Sequence, residues 1–317
     1  MRHHGHHFIA CAILAIAPPV ALAGSATPDD AAVIPAWTFE LERRLQPWCQ
    51  SDCALLTPFV ATYRSRGQVL VFVGVRHVFT SENPTLRAVD SGFSTASPAI
   101  VVVEGFPTEM GESPPPLVQA VRTRGTADAD DFARGEAIYA ASLAVRRGIP
   151  FIGGEPTRRE QVGALARKGY EPADIAFSYL LGGLSQSLRA GDLADTSDPG
   201  LTAVFARWSG GFANQYKLAP MSLEEFERRY RSMFGVDLAS DTQLVARSDI
   251  ATTTVPALAA LHQADMITRD EHLLATIERQ LASRKRVLVV YGGSHWTTLA
   301  QALEKKLGKP QIRPFTE

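Results

Sequence analysis

Val69-Leu-Val-Phe-Val-Gly-Val-Arg-His77 and Val287-Leu-Val-Val-Tyr-Gly-Gly-Ser-His295 decide the reading of this chain. Each is an apolar run without polar alternation, then a glycine that permits a sharp turn or a close approach, then a histidine three residues later. A strand wetted on one face alternates in polarity, whereas an unbroken Val/Leu run is covered on both faces, as the inner strands of a parallel sheet are. Ala99-Ile-Val-Val-Val103 and Ile149-Pro-Phe-Ile152 read the same way. Helical patterns lie between or after these runs, at Phe132 to Arg147, Arg158 to Lys168, Leu273 to Ser283 and Thr297 to Leu307. Strand, helix, strand in that order predicts an α/β fold, with a mostly parallel central sheet flanked by helices. No strand pattern interrupts residues 170–265. Ala190 to Gly200 is a Gly/Asp/Pro-rich loop and Leu223 to Phe234 a helix, so this stretch reads as a helical insertion covering one edge of the site.

The matched runs also predict where chemistry sits. Ligands of open parallel sheets bind beyond the carboxyl ends of the strands. There the four strands deliver His77, Glu104, Glu155 and His295. One ionisable residue after a strand is commonplace; four, as two His and two Glu, are a candidate first shell for Zn²⁺, Mn²⁺, Co²⁺ or Fe²⁺ with a position left for water. Such an ion would bring the water's pKa from 15.7 towards ~7. A second carboxylate would act as general base. A version without metal uses a histidine as base and a carboxylate to orient it. Arg269 is the candidate for stabilising negative charge in the transition state, with Thr268 or Asp270 capping a helix that begins near Glu271. His262 and His272 fall on helical stretches and read as structural. Ser294 stands in half of a nucleophile elbow, but Trp296 occupies the place of the small residue that turn needs, which argues against a serine nucleophile.

The paired motifs Gly74-Val-Arg-His77 and Gly292-Gly-Ser-His295, with Val103-Glu104-Gly105 and Arg269-Asp270 between them, resemble the superfamily of erythromycin esterase-like, TraB/PrgY, TIKI and ChaN proteins. The resemblance covers small islands between about residues 69 and 300. It implies that His77, His295, Glu104 and Arg269 are site residues; Glu155 is added from its strand-end position alone. TIKI-like members imply peptide-bond hydrolysis with a divalent metal, and erythromycin esterase-like members imply ester or lactone hydrolysis with a histidine base. ChaN-like members imply haem capture. The sequence shows neither the membrane anchor of TIKI or PrgY proteins nor the lipobox of ChaN.

The remainder of the chain bounds the setting. Residues 1–23 combine one fixed charge, Arg2, with the apolar run Phe8 to Ala17 and the small-residue sequence Ala21-Leu-Ala23, the layout of a secretory signal peptide cleaved near Ala23. That predicts a periplasmic or secreted protein without a stable membrane anchor. Residues 24–36 read as a disordered lead-in and 37–317 as a single α/β domain opening with a short helix near Trp37. Past residue 23 there remain 31 Lys and Arg against 33 Asp and Glu with no long run of one sign, which excludes a nucleic-acid footprint. Cys49 and Cys53, four apart in an oxidising compartment, read as a local disulfide. The sequence therefore predicts an exported, metal-dependent hydrolase of an ester, lactone or peptide bond, acting on a small molecule or a peptide. The alternative is a non-catalytic haem or metal binder using the same two histidines, and a third reading is a scaffold without chemistry.

Overall fold

The structure, a computed structural model, describes residues 57–75, 84–124, 135–216, 220–248 and 253–315. His77, the Cys49/Cys53 pair, the signal peptide, the lead-in and the helix expected near Trp37 lie outside the described residues.

The chain forms a six-stranded mixed, mostly parallel sheet flanked by helices. Its strands are β1 (Phe59–Ser65), β2 (Gln68–Val75), β3 (Ile100–Pro107), β4 (Phe151–Glu155), β5 (Arg286–Gly292) and β6 (Gln311–Pro314), in the order β4-β3-β5-β2-β1-β6. All four apolar runs are parallel: β2 pairs with β5, β5 with β3, and β3 with β4. Val101 to Val103 and Leu288 to Val290 have no exposed surface, as a strand covered on both faces requires. The two outer strands, β1 and β6, run antiparallel. β1 joins β2 through Arg66-Gly67, both at positive φ, the backbone of a two-residue hairpin turn.

Helices cover both faces. α1 (Pro84–Ala96), α2 (Pro115–Arg124) and α3 (Gly135–Arg146) pack on the side of Val71, Val73, Val101, Val103, Leu288 and Val290. The other side, that of Leu70, Phe72, Val102, Val289 and Tyr291, is covered by the later part of α9 (Pro256–Arg284) and by α10 (Gly293–Leu307). Between β4 and α9 lie α4 (Arg158–Arg167), α5 (Pro172–Ala190), α6 (Leu201–Tyr216), α7 (Leu223–Phe234) and α8 (Leu244–Ser248); α5 to α8 and the start of α9 occupy the stretch 170–265 read from the sequence as a helical insertion. No helix among the described residues is long and apolar enough to cross a membrane.

α9 corrects one expectation. No helix starts near Glu271; a single 29-residue helix runs through that point, about 43 Å long at 1.5 Å per residue. Thr268 caps nothing, because its hydroxyl donates to the Ala264 carbonyl one turn back at 2.9 Å. The helix instead starts at Pro256, whose missing N–H costs nothing at a first position. Its first half, with Leu258, Leu261 and Ala264, packs into the insertion, and its second half, with Leu273, Leu274, Ile277 and Leu281, packs on the sheet. Arg269 and Asp270 sit at the changeover.

The two matched runs are not equivalent in the sheet. Gly74 pairs with Tyr291 and Val75 with Gly292, so the runs lie one residue out of step. In a pleated strand one residue is the difference between faces. The two glycines also serve different ends: a Cβ on Gly74 would lie 2.2 Å from the Phe59 ring facing it on β1, whereas Gly292 caps α10.

Candidate active site

β3, β4 and β5 end on the same edge of the sheet, and α9 passes over that edge. The crossover β2-α1-β3 skips the place that β5 later fills, so β3 and β5 are neighbours while the helices that follow them lie on opposite faces. The crevice of an open α/β sheet opens at such a reversal. Glu104 leaves β3 there and Glu155 ends β4. The β4 end must stay narrow: a Cβ on Gly153 would lie 1.9 Å from the Phe106 carbonyl oxygen, and one on Gly154 would lie 2.6 Å from the Tyr291 ring. α10 begins directly at the end of β5, four residues before the expected Thr297, and this junction puts His295 on the first turn of the helix.

Arg269 joins the carboxylates. Its Nε and Nη2 donate to the two oxygens of Glu155 at 2.8 and 2.6 Å, and Nη2 also donates to Glu104 Oε1 at 2.9 Å. The other oxygen of Glu104 accepts from the Gly292 N–H at 2.7 Å, which ties β3 to the start of α10. Burial by itself would raise the Glu155 pKa, but Arg269, through its charge and its paired hydrogen bonds, outweighs burial and holds this carboxyl well below the usual range. Burial would likewise lower Arg269, and Glu155 more than offsets it, keeping the guanidinium charged. The arginine thus clamps two nearly buried carboxylates.

His295 is 2% exposed, and its Nδ1 lies 2.5 Å from Oδ1 of Asp270, which has no exposed surface. Burial raises the Asp270 pKa, with the charge and hydrogen bond of His295 opposing it. The edge of the Tyr291 ring packs against the imidazole, with centroids 4.8 Å apart at 89°. The pair fixes the ring and directs Nε2 to the Glu104 side, where Oε1 is 3.7 Å away. Asp270 is the residue that sequence reasoning missed as a partner of His295. No local signal could have found it: Arg269-Asp270-Glu271 is not the only charged run on this helix, and the partner lies 25 residues further along the chain.

His272 does the structural work assigned to it. Its Nε2 meets Thr108 Oγ1 at 2.8 Å, and that hydroxyl donates to the Gly153 carbonyl, fastening α9 to the ends of β3 and β4. Burial lowers its pKa and favours the neutral ring. His262 lies on α9. Ser294 lies on the first turn of α10 beside His295, and the indole of Trp296 donates to Tyr63 at 3.0 Å.

Among the described residues no group of three or more His, Cys, Asp or Glu is placed to hold a metal ion. The structure thus brings together four elements of the reading, Glu104, Glu155, Arg269 and His295, and adds Asp270 and Tyr291. No family model, no curated protein and no solved structure matches the chain, so function is argued from this geometry.

Proposed function

We propose that the chain is a hydrolase of ester, lactone or peptide bonds in which the Asp270–His295 pair supplies the general base. The observation that carries this is the 2.5 Å contact between a fully buried carboxylate and Nδ1 of a histidine at the carboxyl end of a parallel sheet. With Nδ1–H donated to Asp270, the lone pair of the neutral imidazole is on Nε2. Water lying within reach of both Nε2 and Glu104 gives its proton to Nε2 as its oxygen attacks the carbonyl carbon. The imidazolium so formed, stabilised by Asp270, then returns the proton to the leaving group. Glu155, ionised and bonded at both oxygens, is a poor proton acceptor, so its part and that of Arg269 is to hold Glu104 in place. With residues 1–23 read as a signal peptide, the reaction takes place in the periplasm or outside the cell.

A second reading keeps the divalent metal. Its support is the 3.7 Å separation of His295 Nε2 and Glu104 Oε1, a span that two ligands of one ion can share, together with a carboxylate behind the histidine as metal-bound imidazoles commonly have. Those two atoms would hold the ion, and its chemistry would be activation of water. Against this, Glu104 already serves Arg269 and Gly292 with its two oxygens.

Purified protein assayed on a panel of aryl esters, lactones and peptides decides between them. The general-base reading expects turnover that survives chelation and is lost in His295→Ala. Inactivation by chelator with recovery on adding Zn²⁺ or Mn²⁺ would support the metal instead. Undiminished turnover in His295→Ala, or an absorption band on adding haem with no turnover at all, would overturn the hydrolase mechanism.

A further inference from the structure

α9 carries Leu261, Asp265 and Arg269 at intervals of four, so the three lie along one stripe of the helix. Arg269 belongs to the site described above. Asp265, about 6 Å back along the helix axis, lines a cleft between α4, α5 and α9 together with Leu165, Ile175, Ser178, Tyr179 and Leu261. The cleft has a volume of about 20 Å³ and a mouth open to solvent. That is room for one water-sized group such as an ammonium head, with the carbon atoms that carry it in the open mouth.

Its one carboxylate is held but not neutralised. Asp265 Oδ1 accepts from Gln161 Nε2 at 2.6 Å and from the Tyr179 hydroxyl at 2.8 Å. Among the described residues no Lys or Arg forms an ion pair with it. Arg158 donates from Nη1 to Gln161 Oε1 at 3.0 Å, and its charge also acts on Tyr179 and Tyr216 beside the cleft without pairing with Asp265. Arg269, one turn on, is matched by Glu155 and Glu104. A carboxylate whose neutral donors are both gathered on one oxygen, set among leucine and isoleucine side chains, offers a cation two things. These are a charge-assisted hydrogen bond at Oδ2 and apolar walls for the carbon next to it.

We propose that this cleft is a subsite for a small alkylammonium group carried by the substrate. Its role as a subsite rests on the hydrolase reading; the binding itself does not. Asp265 and Arg269 are one turn apart on the same stripe of α9, so an ammonium held against Asp265 would anchor its substrate beside the site.

Saturation-transfer NMR of the full chain with butylammonium chloride, against 1-butanol as the neutral isostere, tests this without any turnover. The expected result is saturable binding of the ammonium at least about tenfold tighter than the alcohol. Asp265→Asn, shown folded by circular dichroism, should bring the two probes to within about threefold. Ser178→Leu, which fills the cleft and leaves the acceptor of Gln161 and Tyr179 in place, should weaken both. Should Asp265→Asn fail to fold, loss of ammonium binding in folded Ser178→Leu supports the subsite by itself. Equal binding of the two probes, no saturable binding of either, or an unchanged preference in both variants overturns the proposal. Because no substrate is consumed, silence of the whole ester, lactone and peptide panel beside a positive titration would count against the hydrolase reading and leave the ammonium site standing.

Discussion

The Asp270–His295 pair separates activity from stability. Burial raises the Asp270 pKa, so ionising this group costs the folded state. A carboxyl whose folded pKa lies above its unfolded one contributes stability below the unfolded value, and that contribution is lost as pH rises through the folded value. Asp270→Asn removes the cost while keeping an oxygen that can face Nδ1. It should melt no lower than the parent at pH 7, and its kcat/KM for the ester or peptide found by the panel should fall about 10²- to 10⁴-fold, since the amide no longer stabilises the imidazolium. Glu155 has the opposite sign. Its pKa is depressed below 4.5, so its stabilisation is full above that pH and is lost as pH falls through the folded value. Glu155→Gln should unfold about 3–5 kcal/mol more easily at pH 7, because it leaves Arg269 short of a buried partner. In urea melts the gap between the variant and the parent should narrow steadily below pH 4.5; a gap independent of pH would remove the ion pair as its cause.

At the scale of elements, the site depends on one junction and one long helix. β5 passes into α10 without a loop, so the strand that orients Tyr291 also positions His295. α9 bridges the insertion and the sheet, and at its midpoint Arg269 reaches Glu104 and Glu155 while Asp270 reaches His295. The close approaches that permit this differ in hardness. A side chain on Gly153 would collide with a backbone carbonyl, which cannot turn aside, while one on Gly74 would collide with the Phe59 ring, which has some freedom. Gly153→Ala should therefore cost more in urea denaturation, about 2–3 kcal/mol, than Gly74→Ala, about 1–2 kcal/mol. The reverse order would mean that the β3–β4 contact is the softer of the two. The junction was only partly legible beforehand: the strand-end residues could be read from four apolar runs, but a helix begun at Gly293 rather than Thr297 could not, because Gly292 and Gly293 carry no helical signal.

Over the whole molecule, protection should follow position in the sheet. Amide exchange should be slowest in β3 and β5, which are covered on both faces and paired on both edges. It should be far faster in β6, whose four residues are all exposed at the sheet border. Equal protection across these strands would mean that the sheet opens only as a unit.

The sequence by itself determined the α/β class, the four parallel strands, the helical stretch after β4 and the strand-end residues Glu104, Glu155 and His295. Those features follow from local patterns, apolar runs without alternation and ionisable groups just beyond them, which are legible one segment at a time. Tertiary structure alone decided the rest. It set the two matched Gly-x-x-His runs one residue out of step, added the antiparallel strands β1 and β6, and ran α9 unbroken through the point where a helix start was expected. It also made Arg269 a clamp on two carboxylates and Asp270 the partner of His295. Those outcomes depend on which distant segments meet: Asp270 is 25 residues from His295, and Arg269 is 114 from Glu155 and 165 from Glu104. A charge on a helix carries no local mark of the partner that packing will bring to it.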